Sequence, residues 1–191
     1  MSECSLLQNE KNRFLADEFF MLSWDAATEH NKTWTVIKGK KNQKEFKLKV
    51  KEELERILLQ YSCVEISKEA HKENIKRLQD FTKRIGQEMD FGKCQKLLNM
   101  MCKYYWCVGW VNTPPDMPID SMNLSELSQD KYNEVKKQLG CKEKINWTQD
   151  IKNDKDYEFI MEAFHGFAKE QGFDSVAVWE LCNWRRRANK L

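Results

Sequence analysis

Apolar residues recur at steps of three and four along nearly the whole chain, and no segment alternates with the period of two that a half-buried strand requires. The pattern predicts an all-α fold, one multi-helix domain with at most two helical subdomains around a cleft near residues 90–125. A first helix over about residues 10–30 presents Phe14, Leu15, Phe19, Leu22 and Ala26 as its apolar face, broken by Glu18. A second, over about 44–61, repeats Phe46, Val50, Leu54, Ile57, Leu58 and Tyr61. Ser67 caps a third that ends at Ile85 before Gly86, with Ile75, Leu78, Phe81 and Ile85 inward.

Asp90 caps a fourth helix whose apolar positions, from Phe91 and Cys94 through Leu97, Leu98 and Met101 to Tyr104, Tyr105 and Val108, cover most of its circumference. Such a helix belongs at the centre of the fold. Further on, Ser125 or Ser128 opens a helix that Gly140 stops. Asp154 opens another, carrying Phe159, Ile160, Ala163, Phe164 and Phe167 and stopped by Gly172. A last helix from about Ser175 holds Val176, Trp179, Leu181 and Trp184.

Two features interrupt this pattern. All three prolines, Pro114, Pro115 and Pro118, follow the fourth helix closely, and they read as a stiff connector that fixes Asp116 and Asp120 in position. On the fourth helix itself, Gly92, Lys96, Asn99 and Lys103 form one polar stripe beside Gln95. Polar groups on a buried helix need a partner or a ligand. The connector can turn back to supply one, pairing Lys96 with Asp120 or Asp116. A desolvated lysine can serve as an amine nucleophile, and a carboxylate can move a proton or face a developing cation. A lysine reaching solvent beside a hydrogen-bonded asparagine is the structural alternative.

The chain has 191 residues, 41% of them hydrophobic, enough for a substantial core. Its net charge of +2 does not by itself demand nucleic acid, but the charge is uneven. Lys38, Lys40, Lys41, Lys44, Lys47, Lys49 and Lys51 face a single acid, Glu45, and the chain closes on Arg185, Arg186, Arg187 and Lys190. These are candidate phosphate contacts or solvated surface. Seven cysteines without a CxxC pair and three scattered histidines speak against a disulfide framework or a metal site. The start of the chain lacks the marks of a signal peptide and no stretch has membrane-spanning length, so the expectation is a cytoplasmic protein with no cofactor.

The run Gly92-Lys93-Cys94-Gln95-Lys96-Leu97-Leu98-Asn99, followed by an aromatic helix and by Pro118-Ile119-Asp120-Ser121, resembles a divergent helix-hairpin-helix DNA glycosylase core over about residues 86–125. It is also similar to small bacterial helical proteins with a glutamine-lysine-x-x-asparagine helix and a double-proline loop. Two departures stand out: Cys94 occupies the second hairpin glycine, and the interval from Lys96 to Asp120 is long.

The resemblance implies excision of a damaged or modified base, flipped out of double-stranded DNA, to leave an abasic site; defence against phage with modified DNA would suit such an enzyme. It implies Asp120 as the catalytic carboxylate and Lys96 as amine nucleophile or positioning group. Around them Gln95, Asn99, Lys103, Trp106, Trp110 and Asp116 become candidate substrate contacts, with Trp24, Trp34 and Trp184 as further aromatics. Gly92, Lys93, Lys40, Lys41, Lys44, Arg185 and Arg186 become candidate DNA contacts. The competing class is a non-enzymatic helical module that binds nucleic acid or a protein, in which Lys96 and Asp120 form a buried structural ion pair.

Overall fold

The computed structural model describes residues 3–28 and 40–183, and all of the secondary structure among them is helical. In chain order the helices are α1 (Glu3–Thr28), α2 (Lys40–Cys63), α3 (Lys68–Arg84), α4 (Phe91–Cys107), α5 (Ser121–Glu126), α6 (Gln129–Gln138), α7 (Trp147–Asp150), α8 (Asp154–Glu170) and α9 (Val176–Asn183). Every residue of α4 from Phe91 to Lys103 is buried, as its all-round apolar pattern requires. Helices α1, α2, α3 and α7 pack directly on α4, while α8 packs on α6 and α9. One continuous apolar cluster runs from Phe20 on α1 through Leu54, Leu78, Leu98 and Phe164 to Trp179 on α9.

Local signals set most boundaries. Ser67 accepts the backbone N–H of Ala70 at 3.2 Å to start α3, and Gly86, with φ of 106°, ends it in a conformation that side chains rarely adopt. Asp90 stands at the head of α4 but does not cap it with its side chain, which pairs with Lys93 instead. The helix expected from Ser125 or Ser128 and stopped by Gly140 is α6, and the short α5 before it is an element that the pattern did not predict. Asp120 caps the short α5, with Oδ1 accepting the N–H groups of Met122 and Asn123 at 3.0 and 2.9 Å, and Ser128 caps α6. Asn153 caps α8, so Asp154 is its first residue.

The largest departure concerns α1. Phe14, expected on its inner face, is 63% exposed, and Leu22 is also exposed. The inner face is formed by Phe20, Ser23, Trp24, Ala27 and Thr28. Apolar residues occur on every side of α1, so their spacing does not select a face. On α9, Val176 and Trp179 are buried and Leu181 is exposed. Trp34, Trp184, Arg185 and Arg186 lie outside the described residues, as do the side chains of Lys40 and Lys41.

Candidate functional site

The polar stripe of α4 meets the loop that follows it. Lys96 Nζ lies 3.1 Å from Asp120 Oδ2, with the two side chains only 8% and 11% exposed. The ring of Trp147 covers the ammonium, its centroid 4.5 Å from Nζ. Because Oδ1 of Asp120 is already held by the two N–H groups at the head of α5, the carboxylate is fixed at both oxygens. It cannot turn without losing a cap.

Gln95 sets the register of the loop. Its Nε2 donates to the carbonyl of Ile119 at 2.8 Å while its Oε1 accepts the Ile119 N–H at 3.1 Å, so one buried amide serves both backbone groups of the residue before Asp120. Asn123 adds a third tie, donating from Nδ2 to Pro118 O at 2.7 Å. The proline segment is thus clamped to α4 and α5 on either side of Asp120.

Asp116 goes elsewhere. Tyr157 OH donates to its Oδ2 and His165 Nε2 lies against its Oδ1, both at 3.0 Å. Tyr157 in turn accepts from Asn99 Nδ2 at 3.1 Å. Beyond Asn99, Asn74 Nδ2, which can only donate, reaches Tyr61 OH at 3.3 Å, and Tyr61 OH lies 2.8 Å from His71 Nδ1. With Tyr61 donating, neutral His71 carries its proton on Nε2, and His71 Nε2 and Asn99 Oδ1 are both buried without a hydrogen-bond partner. Asn99 and Tyr157 thus donate in sequence toward Asp116, while Asn99 Nδ2 also reaches Gln95 Oε1 at 3.3 Å and Asn74 Nδ2 reaches Gln60 Oε1 at 3.2 Å.

Electrostatics agree with that direction. Burial alone raises the Asp116 carboxyl, but its neighbours His165, His71 and Tyr157 together outweigh it and hold the group below its ordinary range. Burial pushes the Tyr157 hydroxyl well up and pulls His71 down, so both stay neutral. Asp116 is therefore a buried structural charge with His165 as its partly exposed neighbour.

Lys103, two turns along from Lys96, pairs at 2.7 Å with Glu180 of α9, a residue that spacing arguments did not single out. Burial raises the Glu180 carboxyl against the opposing charge and hydrogen bond of Lys103, and the negative charge of Asp120 pushes it the same way. Two ion pairs thus stand in one buried row. The signal for Glu180 in the sequence is slight, a lone acid between apolar residues of a short helix.

The remaining candidates have ordinary surroundings. Gly92 donates its N–H to Ile151 O at 3.1 Å, and a Cβ there would lie 2.1 Å from Trp147 O, so the glycine permits the close approach of α7. Lys93 is buried against Asp90. Trp106 packs against the core, and Trp110 meets Phe19 and Tyr105 at ring distances of 6.0 and 5.0 Å. Trp24 is a core residue beside Phe20 and Phe46. Lys44 is exposed on α2. A cleft of about 370 Å³ opens beside Ser121, the residue after Asp120, with Leu124, Leu127, Tyr132, Ile145 and Lys144 among its walls.

Among the described residues no group of three or more His, Cys, Asp or Glu is placed to hold a metal ion, and no helix is long and apolar enough to cross a membrane. Comparison with protein-family models, with curated proteins and with solved structures gives no match.

Proposed function

We propose that the chain is a DNA N-glycosylase that releases a damaged or modified base and leaves an abasic site, with Asp120 as its catalytic carboxylate and Lys96 as the group that positions it. The observation that carries this reading is the 3.1 Å approach of Lys96 to Asp120, two residues the motif pairs and the chain separates by a helix and a proline loop. Cleaving a glycosidic bond places positive charge on the sugar, and a carboxylate that cannot reorient stabilises such charge without reorganisation. Asp120 has that property, since two backbone N–H groups and an ammonium hold it. The cleft beside Ser121 offers an apolar floor, the Tyr132 ring and the Lys144 cation, which suit a base and its phosphate. Exposed Lys44 belongs to the basic segment that would meet the backbone, in which Lys47, Lys49 and Lys51 already pair with Asp25, Glu45 and Asp17.

A second reading rests on one observation: both oxygens of Asp120 are satisfied inside the protein. On that reading Lys96 and Asp120 only tie α4 to α5 and the chain is a helical binding module. Incubation with duplex DNA carrying a panel of damaged and phage-type modified bases, followed by alkaline cleavage, separates the two. Release of a base supports the glycosylase. DNA binding without release from any substrate supports the module.

A further inference from the structure

We infer that the turn between α6 and α7, with Lys136, Lys142, Lys144 and Lys152, is the principal surface on which the chain holds the phosphate backbone of duplex DNA. The inference rests on the DNA reading proposed above and names the surface which that reading needs. Residues 136–144 hold Lys136, Lys137, Lys142 and Lys144 against one acid, Glu143. Lys136 is partly buried and the others are exposed, as is Lys152. Among the described residues no carboxylate pairs with any of these lysines. The fold gathers them around Cys141. Gly140, with φ of 69°, ends α6, and the Cys141 N–H returns to Lys136 O at 3.0 Å. Tyr132 OH then accepts the Ile145 N–H at 3.1 Å, which lays residues 141–145 back along α6. Lys136 and Lys152 come close enough from two sides for both charges to bear on the Cys141 thiol. Asp150 also faces Cys141, but one of its oxygens already accepts the Asn146 N–H at 2.7 Å.

Position and charge favour DNA as the occupant. Lys144 lines the cleft of about 370 Å³ that Ser121, the residue after Asp120, also borders, so the basic turn reaches the opening beside the candidate carboxylate. A nucleotide entering that cleft keeps its phosphates at the rim, where a cation without a partner can meet them. The hairpin is closed to this role. Its Gly92 N–H is donated to Ile151 O and Lys93 is buried against Asp90. The segment at the head of α2 contributes less, because Lys47, Lys49 and Lys51 already hold Asp25, Glu45 and Asp17. A lysine that holds an acid must release it to meet a phosphate, whereas the lysines of the α6–α7 turn are free.

Fluorescence anisotropy of the full chain with labelled, undamaged duplex DNA, from about 50 to about 200 mM salt, tests this with no need for base release. The combined variant Lys136→Gln, Lys142→Gln, Lys144→Gln alters side chains outside the core and is expected to keep the helical spectrum. It is expected to lower the slope of log affinity against log salt by about two to three, and to weaken binding about tenfold or more at about 100 mM salt. The charge-matched variant Lys11→Gln, Lys68→Gln, Lys169→Gln, at exposed sites on α1, α3 and α8, is expected to change that slope by less than about one. Equal losses in the two variants, wild-type binding by the first, or a wild-type chain without salt-dependent binding would overturn the proposal. So would retention on vesicles of phosphatidylcholine and phosphatidylserine at a salt concentration that frees the duplex, which would assign the lysines to a membrane surface. A chain that binds through Lys136, Lys142 and Lys144 yet releases no base supports this surface and removes the glycosylase alone.

Discussion

Lys96 of α4 and Asp120 of the following loop meet at 3.1 Å, both nearly buried, and the same carboxylate caps α5 through its other oxygen. One side chain therefore neutralises the central helix and starts the next. Asp120→Ala removes both functions and leaves a buried ammonium unpaired, which is expected to cost about 3–5 kcal/mol in urea denaturation. Asp120→Asn keeps an acceptor for the cap and is expected to cost about 1 kcal/mol less. Equal losses in the two variants would show that the cap contributes nothing.

Gln95 holds both backbone groups of Ile119, so Gln95→Leu strands a buried N–H and a buried carbonyl together. Each stranded group costs about 1–3 kcal/mol, and a combined loss near the middle of that doubled range is expected in the same denaturation measurement. Gln95→Glu is expected to fall well short of wild type, because a carboxylate still accepts from Ile119 N but repels Ile119 O.

Gly92 has no room for a side chain. Gly92→Ala would drive a methyl to 2.1 Å from the carbonyl of Trp147, and displacement of α7 from α4 is expected, with a loss of about 3 kcal/mol or more. Thermal unfolding of the variant reads this directly, and a wild-type midpoint would refute the tight packing.

The pH dependence follows from His71 and Asp116. Burial holds folded His71 below its ordinary value of 6.5, so the unfolded chain binds this proton first. Its contribution to stability is complete above pH 6.5 and is lost as pH falls below that value. Asp116, held below its ordinary 3.8 by His165, His71 and Tyr157 in spite of burial, adds a second loss as pH falls below about 4. Urea unfolding between pH 4.5 and 8 (a range of about two units either side of an ordinary histidine) is expected to show stability declining toward acid, and His71→Gln is expected to flatten that slope. A slope unchanged in His71→Gln would contradict the assignment.

Much of this arrangement was legible in the sequence where a local rule governed it. The all-round apolar pattern of α4 put that helix at the centre, Ser67 and Gly86 bounded α3, and the prolines marked the loop that brings Asp120 to Lys96. What escaped depends on contacts distant in the chain. Glu180, Tyr157, His71 and His165 acquire their roles only when α3, α8 and α9 close around α4, and no spacing along the chain encodes that. The face of α1 escaped for another reason: a helix apolar on all sides offers its neighbours a choice, and the packing of Phe20 and Trp24 decided it.

In the proposed reaction Lys96 positions rather than attacks, since an ammonium engaged with Asp120 and covered by Trp147 has no lone pair to offer. Borohydride trapping during turnover is expected to give no protein–DNA crosslink, and the product is expected to be an intact abasic strand until alkali is added. A crosslink that disappears in Lys96→Gln would instead make Lys96 the nucleophile.

The most direct test of the account is the single-turnover rate of base release from modified duplex DNA by the wild-type chain and by Asp120→Asn, with the fold of each verified by circular dichroism. The expected result is release by the wild type and a loss of about 100-fold or more in the variant. Release at the wild-type rate by Asp120→Asn, or no release by the wild type from any base tested, would contradict it.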